Sequence, residues 1–410
     1  TATDPKAVWV MQGWMFHYNN KFWQPQQVKA LLNAVPNDQM IVLDLYSDAH
    51  PVWNRTDAYY GKPWIWNMLQ NFGGNISMFG RMRHVAADPS IALHDPESKN
   101  MVGIGLAPEG IEQNPALFEL MTENVWRDTP IDADQWVTGY ARRRYGKADP
   151  QLSEAWNILL NTVYSGGLTE GGNESIIVAR PTFEKKIDRV LTHVDYDPLQ
   201  LLKAWGLFIG ASGQFKSSDG FEYDLVDISR QVLANYASPL QQKMVAAYKN
   251  KDQAAFKQYS SEFLTLMDDM DALLNTRKDF LLGKWITEAR ANGITEKEKN
   301  LYEFNARDLV TLWGDKESGL REYSNRQWAG LIKGYYKPRW ELFFAMLDKS
   351  MQAGTTPDLK AFDQQVKNWE WKWVNQHDNA YSAKPTGNSL EKAAELYKKY
   401  NQIIREAYVN

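Results

Sequence analysis

The stretch MVGIGLAPEG, residues 101–110, joins a short apolar run to a Pro-Glu-Gly turn. Proline fixes its own φ and glycine lets the chain turn sharply, so the pattern predicts a strand that ends at Glu109. A lone carboxylate beside proline and glycine is usually a solvated turn residue. The alternative is a carboxylate held at the tip of a buried strand, and the surrounding sequence has to distinguish the two.

Three similar apolar runs precede this one, and all are rich in β-forming residues: VWVMQG at 8–13, MIVLDL at 40–45 and WIWNML at 64–69. Helix-like or loop segments lie between them, and the runs recur about every 30 residues, as in βα units. Residues 1–130 are therefore predicted to form four parallel strands with helices. A closed (β/α)8 barrel needs eight strands, and half of one leaves two sheet edges unpaired. Because the first run begins almost at the first residue, we expect the missing half to lie upstream.

Beyond residue 130 the apolar residues follow a helical period. Seven of them between 256 and 273 fall on one helix face. The expected starts of three helices carry capping residues, namely Asp149 and Asp197, each before a proline, and Thr295 with Glu298. Residues 131–410 are therefore predicted to form an all-α domain.

The composition excludes several classes of function. A net charge of -4 over 410 residues gives no general attraction for nucleic acid or an anionic membrane, and we expect neither as a partner. With no cysteine there is no disulfide, thiolate nucleophile or cysteine-bound metal. The 17 Trp and 20 Tyr exceed what cores of this size need. Aromatic rings also suit stacking on the faces of sugars.

Three other signals are interpreted structurally. The stretch NFGGN at 71–75 lacks the lysine of a phosphate-binding loop, so its glycines predict a close approach of backbones. The six histidines show no ligand spacing, and we expect no metal and no cofactor. The basic run ARRRYG at 141–146 is typical of a helix end, where positive charge complements the helix dipole.

Five long stretches resemble, in the same order, the α-N-acetylglucosaminidase family, glycoside hydrolase family 89. They are VWVMQGWMF at 8–16, IVLDLYSD at 41–48, WIWNMLQNFGGN at 64–75, GIGLAPEGIEQN at 103–114 and TLWGDKESGLREYSNRQWAGLIKGYYKPRW at 311–340. The resemblance covers essentially the whole chain. It implies that residues 1–130 are the second half of a (β/α)8 catalytic barrel. Residues 131–410 would then be a C-terminal all-α domain that contributes to the active site, and the N-terminal half of the same enzyme would be a partner.

The resemblance also implies an activity. Family members are retaining exo-glycosidases that release terminal α-linked N-acetylglucosamine from glycans or glycosaminoglycans such as heparan sulfate. Glu109 matches the nucleophile, while the acid/base glutamate is expected upstream of this chain, in an Asn-Glu pair. The Asn-Glu pair found here, Asn173-Glu174, lies in a Gly-rich stretch beyond the barrel, and we interpret it as a surface loop. If this chain had to supply a second carboxylate, Asp44 and Asp48 near the second strand would be the candidates.

Stereochemistry gives an independent reason for a protein nucleophile. In an α-linked sugar the 2-acetamido group lies cis to the leaving group, so it cannot attack the anomeric carbon from behind. A retaining enzyme then needs two carboxyl groups about 5 to 5.5 Å apart, which strand tips on one barrel face can supply.

The resemblance further implies a sugar pocket shared by the two domains. The matching positions are Trp14, Leu45, Leu69 and Phe72 in the barrel half and Trp313, Leu320 and Tyr323 in the helical domain. The alternative for each is ordinary core packing. For the whole protein, the alternatives are a non-catalytic carbohydrate-binding or scaffold protein with the same pocket, or a helical interaction module. An enzyme of this family would be exported, which means secreted, periplasmic or lysosomal.

Overall fold

The computed structural model describes residues 3–167, 171–184, 190, 192–378 and 381–409. Its four strands form one parallel sheet in the order β1-β2-β3-β4. The strands are β1 (Trp9–Gln12), β2 (Met40–Asp44), β3 (Trp64–Gln70) and β4 (Met101–Pro108). Each lies within two residues of its predicted bounds, and the parallel order confirms the βα pattern.

Helices follow the strands and cover one face of the sheet. They are α1 (Trp14–Tyr18), α2 (Pro25–Asn33), α3 (Asp57–Tyr60), α4 (Met82–His94) and α5 (Pro115–Asn124). Beneath them the sheet buries large side chains such as Trp64 and Trp66. The ring of Trp64 stacks on Trp53 at 5.5 Å between centroids, and its Nε1 donates to the carbonyl of Ser98.

The sheet is open at both sides within the described residues. Strand β1 pairs with β2 and strand β4 with β3. Large apolar side chains remain exposed along these outer strands, among them Trp9, Val10, Val102 and Leu106. A parallel sheet is normally covered on both faces and has protected edges, so this arrangement is that of a barrel portion.

The second part of the chain is helical throughout its described regular elements. The helices are α6 (Ala133–Tyr145), α7 (Pro150–Leu160), α8 (Pro198–Ala211), α9 (Asp219–Lys249), α10 (Gln253–Leu274), α11 (Leu282–Ala291), α12 (Glu296–Leu309), α13 (Lys337–Ala353), α14 (Leu359–Val374) and α15 (Ser389–Val409), with a π-helical turn, Ile332–Tyr336, leading into α13.

The predicted caps are confirmed. Asp149 accepts from the N–H groups of the first turn of α7, and Asp197 does the same for α8. Thr295 and Glu298 form a reciprocal capping box on α12. The basic run lies in the last turn of α6, as the dipole argument predicts.

The two parts share one continuous hydrophobic core. Helix α9 is central to the contact, because polar side chains on it bind the loop that follows β3. Gln231 accepts from the backbone N–H of Met78 at 2.9 Å, and Arg230 donates to the carbonyl of Ile76 at 2.9 Å. The carboxyl ends of the strands therefore face the helical domain.

Candidate active site

Glu109 lies immediately after β4, where the Pro-Glu-Gly pattern places it. Its Oε2 accepts a hydrogen bond from the backbone N–H of Gly73 at 2.5 Å and another from the hydroxyl of Tyr323 at 2.9 Å. One donor comes from the loop after β3 and the other from the helical domain. The carboxylate is thus fixed at the strand tip while its side chain stays open to solvent.

The loop after β3 needs its two glycines. Both have positive φ, 65° for Gly73 and 67° for Gly74. A Cβ at Gly73 would lie 1.9 Å from the carbonyl oxygen of Tyr323, and one at Gly74 would lie 2.5 Å from that of Glu109. The predicted close approach of backbones is confirmed, and it brings the loop after β3, the tip of β4 and the helical domain together at one point.

The helical-domain segment that carries Tyr323 is bound to the strand tips by further contacts. Ser324 donates to the carbonyl of Gly73 at 2.6 Å, and Arg326 donates to a carboxylate oxygen of Glu112 at 2.8 Å. The ring of Trp313 meets Tyr323 edge to face at 5.1 Å between centroids. Tyr323 and Trp313 therefore form one wall of the site, and this wall contacts Glu109 through the Tyr323 hydroxyl.

A buried ion network supports this wall from behind. Glu322 lies next to Tyr323 in a left-handed conformation with φ 64°, and its carboxylate pairs with Arg339. Arg339 also bonds Glu370 at 2.8 Å and the carbonyl of Val178 at 2.8 Å. Burial raises the pKa of Glu322 to about 7, and the charge of Arg339 opposes this rise.

Aromatic rings form the opposite wall. Trp14 in α1 lies 5.9 Å from Phe72 and 5.8 Å from Tyr46 between ring centroids. Tyr18, one turn further along α1, stacks beside Trp14 at 6.2 Å and is mostly exposed. Flat apolar rings next to a fixed carboxylate suit the apolar face of a sugar.

These elements enclose a cavity of about 590 Å³. All eight residues singled out from the sequence line it, namely Glu109, Trp14, Leu45, Leu69, Phe72, Trp313, Leu320 and Tyr323. Five further residues line the same cavity and were not predicted to have a pocket role: Tyr18, Asn75, Gly171, Gly172 and Glu174. Two domains thus contribute to one pocket.

The interpretation of Glu174 as a surface-loop residue is wrong. Its side chain is buried, 9% exposed, and its Oε1 accepts from the side-chain amide of Asn75 at 3.3 Å. The glycines before it allow close packing, because a Cβ at Gly171 would lie 3.1 Å from the ring of Phe72 and one at Gly172 would lie 2.9 Å from Phe79. The apolar run IIVA, directly after the glutamate and its serine, is the signal that could have indicated burial.

Asp44 and Asp48 are not part of the pocket lining. Asp44 accepts from the backbone N–H groups of Val52 and Trp53 at 2.9 Å each, and burial raises its pKa to about 6. Asp48 accepts from the N–H of Leu69 at 3.0 Å, and burial raises its pKa to about 6 as well. Both carboxyls fasten loops at strand ends.

The described part of the chain contains no group of three or more His, Asp or Glu side chains arranged to hold a metal ion. No helix among those residues is long and apolar enough to cross a membrane. The polar side-chain groups that line the pocket are the carboxylates of Glu109 and Glu174, the hydroxyls of Tyr18 and Tyr323, and the amide of Asn75, beside its aromatic rings.

Comparison with known proteins adds sequence and structural relatives. A family model described as the alpha-N-acetylglucosaminidase (NAGLU) tim-barrel domain matches residues 1–128, and the model of the C-terminal domain of the same family matches residues 136–399. Human alpha-N-acetylglucosaminidase is 38% identical over 404 residues, which are 98% of this chain and 53% of the human protein.

Two solved structures of a family 89 glycoside hydrolase from Clostridium perfringens are similar to the whole chain. The complex with PUGNAc has a TM-score of 0.88 at 37% identity and covers 97% of this chain and 45% of that one. A doubly substituted form, in complex with its substrate GlcNAc-alpha-1,4-galactose, has a TM-score of 0.87 at the same identity and coverage. The chain spans about half the length of these relatives.

Proposed function

Because the chain belongs to the α-N-acetylglucosaminidase family, glycoside hydrolase family 89, we propose that the complete protein is a retaining exo-glycosidase. It hydrolyses terminal, non-reducing α-linked N-acetylglucosamine. The observation that carries the proposal is the position of Glu109, at a strand tip, open to the shared pocket and held by two hydrogen-bond donors. The substrate printed for the Clostridium perfringens enzyme, GlcNAc-alpha-1,4-galactose, has the same type of linkage.

In this mechanism Glu109 is the nucleophile. Its carboxylate attacks the anomeric carbon, a glycosyl ester forms, and the bond from that carbon to the leaving oxygen breaks as an acid/base glutamate protonates the oxygen. The same glutamate then takes a proton from water, which attacks the anomeric carbon and releases Glu109. The hydrogen bonds from Gly73 and Tyr323 fix the carboxylate in position before the substrate arrives.

The acid/base glutamate belongs to the half of the barrel that this chain does not contain. Strands β1 and β4 each have one paired neighbour within the described residues, and apolar side chains remain exposed along both. An N-terminal half with four further strands would cover these edges and bring a second carboxyl to the same barrel face. We therefore include this half as a partner of the chain.

The substrate-binding roles follow from the pocket walls. Trp14 and Phe72 stack on the apolar face of the sugar, and Leu45 and Leu69 contact the acetyl methyl. Trp313, Leu320 and Tyr323 close the pocket from the helical domain, which we place at residues 131–410, after the barrel half at 1–130. Natural substrates would be glycans or glycosaminoglycans such as heparan sulfate. The enzyme would be exported, and thus secreted, periplasmic or lysosomal. Catalysis in this scheme needs no cofactor.

The test uses the complete protein and an aryl α-N-acetylglucosaminide. Proton NMR of the first product is expected to show the α-anomer, because two displacements at the anomeric carbon retain its configuration. A β-anomer would exclude the glycosyl-ester route. Binding of N-acetylglucosamine without hydrolysis would support the non-catalytic carbohydrate-binding alternative instead.

The dependence on the other half of the barrel is tested separately. Residues 1–410 alone are expected to show no hydrolysis, since general acid catalysis contributes about 10² to 10⁴ in rate and its donor is missing. Addition of the N-terminal half should restore activity and increase the sedimentation coefficient. Full activity of a lone, monomeric chain would exclude the shared-barrel proposal.

A further inference from the structure

Arg326 brings a buried positive charge to the strand tip that carries Glu109. Its side chain is 5% exposed, and its Nε donates to Oε1 of Glu112 at 2.8 Å. Glu112 lies three residues after Glu109, in the segment between β4 and α5. Arg326 thus binds the tip of β4 from the helical domain.

The same guanidinium binds a residue that donates to Glu109. Nη1 of Arg326 donates to the carbonyl of Gly73 at 3.2 Å, and the backbone N–H of Gly73 donates to Oε2 of Glu109 at 2.5 Å. Glycine permits many backbone conformations, so a contact at its carbonyl helps to fix where its N–H points. The direction of this donor therefore depends on Arg326.

The second donor to Glu109 is held by the same group. Nη1 of Arg326 also donates to the carbonyl of Ser324 at 2.9 Å, and the hydroxyl of Ser324 donates to the carbonyl of Gly73 at 2.6 Å. Ser324 directly follows Tyr323, whose hydroxyl donates to Oε2 of Glu109 at 2.9 Å. Both donors to the carboxylate are therefore tied to one guanidinium.

The guanidinium also lies against the residue after Glu109. A Cβ at Gly110 would lie 3.3 Å from Nη2 of Arg326, and the ring of Trp328 lies 5.6 Å from the guanidinium carbon. A planar guanidinium has five N–H donors in a fixed fork, so it can bind several acceptors at once in a way that a lysine ammonium cannot. Arg326 thus contacts the neighbourhoods of the nucleophile and of both its donors.

We propose that Arg326 is a positioning residue for the nucleophile: its guanidinium fixes Gly73 and the segment of Tyr323, so that their two hydrogen bonds aim the carboxylate of Glu109 at the anomeric carbon. The proposal rests on the retaining exo-glycosidase function proposed above. A misplacement of the reacting atoms by about 1 Å can cost about 10²-fold in rate. In this scheme Arg326 acts through Glu109 and does not contact the sugar.

Arg326→Met and Arg326→Lys in the complete protein test the effect on turnover. Methionine removes every donor, so kcat/KM for dinitrophenyl α-N-acetylglucosaminide should fall about 10²-fold. Lysine keeps the charge and part of the donor set, and kcat/KM should recover to within about tenfold of wild type. The Kd of N-acetylglucosamine, measured by calorimetry, should stay within about threefold of wild type for both variants.

Azide separates the positioning of Glu109 from general support of the pocket. In Glu109→Ala the attacking carboxylate is absent, and azide attacks the anomeric carbon from the side opposite the leaving group. The bond from that carbon to the leaving oxygen breaks, dinitrophenolate departs with the electron pair, and the product is the β-glycosyl azide. Dinitrophenolate needs no proton donor to leave.

If Arg326 acts through Glu109, adding Arg326→Met to Glu109→Ala should change the rate with azide by less than about threefold. The same substitution should cost about 10²-fold when Glu109 is present. A loss of about 10²-fold in both backgrounds would show that Arg326 supports the pocket rather than the nucleophile, and it would overturn the proposal.

Arg277→Met is the matched control. Arg277 has a side chain that is 8% exposed, and it pairs with Asp219 at 2.9 Å and with Asp279 at 2.7 Å. It is not among the residues that line the pocket with Glu109. Its loss should lower the melting temperature but leave kcat/KM within about twofold of wild type. If Arg326→Met does not fold, Arg326→Lys serves for the same comparison, with a loss of about three- to tenfold beside Glu109 and none in the azide reaction.

Two outcomes distinguish this inference from the function it rests on. If the wild-type protein hydrolyses the substrate and Arg326→Met stays within about threefold of it, the role of Arg326 is wrong and the activity stands. If the wild-type protein hydrolyses no α-N-acetylglucosaminide, the activity fails, and a crystal structure of Arg326→Met tests the positioning alone. That structure should show the carboxylate of Glu109 without its hydrogen bond to Gly73 or to Tyr323, and a structure that keeps both bonds would overturn the inference.

Discussion

The half-barrel and the helical domain both bury carboxylates, but they satisfy them in different ways. In the half-barrel, Asp44 is held by backbone N–H groups at the end of its strand. In the helical domain, Glu322 and Glu370 share Arg339, and Glu370 also pairs with Arg180. The partners differ, but burial raises the pKa in both arrangements, to about 6 for Asp44 and to about 7 for Glu322, where the charge of Arg339 opposes the rise.

The two kinds of contact have different roles at the pocket. Backbone donors fix loops at the strand tips, where Glu109 is exposed for chemistry. The ion network instead fixes a loop of the helical domain, so that Tyr323 and Trp313 face a carboxylate more than two hundred residues earlier in the chain. Four substitutions test this division, and each is measured in the complete protein.

Glu109→Gln should have the largest effect. The substitution keeps the shape of the side chain but removes the nucleophile, so turnover of an aryl α-N-acetylglucosaminide should fall by at least about 10³-fold. Binding of N-acetylglucosamine and the melting temperature should change little. Residual turnover within about tenfold of wild type would show that Glu109 is not the nucleophile. The half-barrel would then not be the part that supplies the reacting carboxylate of this chain.

Arg339→Met should be the most destabilising of the four. Removal of Arg339 takes the ion-pair partner from the buried carboxylate of Glu322, while Glu370 keeps Arg180, at a cost of about 3–5 kcal/mol in the free energy of unfolding. Urea denaturation measures this loss, and Arg405→Met, on the exposed side of α15, is the control that should change it by less than about 0.5 kcal/mol. A loss below about 1 kcal/mol would mean that the network does not support the wall of the pocket.

Asp44→Asn should remove one part of the pH dependence of stability, to which the raised pKa values of Asp48 and Glu322 also contribute. Burial raises the pKa of Asp44 from 3.8 to about 6 in the folded state. The folded state therefore holds a proton that the unfolded state has already released, and this contribution to stability, full below about pH 3.8, is lost as the pH rises through about 6.

The expected size of that loss is about 3 kcal/mol, given about 1.4 kcal/mol per pKa unit. Urea unfolding between about pH 3.5 and pH 7.5 should show this loss in the wild type and in Asp38→Asn, an exposed control. In Asp44→Asn the total loss should be smaller by about 3 kcal/mol, while the contributions of other buried carboxyls such as Asp48 and Glu322 remain. Parallel curves for all three proteins would contradict the raised pKa.

Trp313→Ala should have the smallest effect. The half-buried ring lines the pocket mouth and packs edge to face on Tyr323, so its loss should lower kcat/KM about three- to tenfold. The free energy of unfolding should change by less than about 1 kcal/mol, unlike the 3–5 kcal/mol typical of core tryptophans. Trp126→Ala, at a mostly exposed ring, is the control. A core-sized loss of stability with unchanged kinetics would show that the helical domain does not share the substrate pocket.

The sequence predicted the half-barrel well because each strand is an apolar run with clear breaks at both ends. The Pro-Glu-Gly pattern placed Glu109 at a strand tip for the same local reason. Glu174 could not be found in this way, since its burial depends on Phe72 and Phe79, about a hundred residues earlier, which receive the glycines before it. Local patterns treat those glycines as a flexible loop, whereas here they permit close packing.

The ion network also could not be predicted from local sequence patterns. Glu322, Arg339 and Glu370 lie on separate segments, and nothing in the spacing of single charges shows which of them meet. Tyr46, whose buried ring packs against Trp14 and Phe72 of the pocket lining, was missed because it follows its strand without a distinctive motif. The resemblance to the family supplied Trp313 and Tyr323, whose contact with the half-barrel spans more than half of the chain.

The bond between Tyr323 and Glu109 joins residues 214 positions apart. A ribosome adds about 5–20 residues per second, so Glu109 waits roughly 10–40 s after its own synthesis before Tyr323 exists to orient it. During that interval the loop with Gly73 and Gly74 has no carbonyl of Tyr323 to pack against. A premature stop codon between positions 110 and 323 would therefore yield a chain that has every strand of this sheet and no assembled pocket.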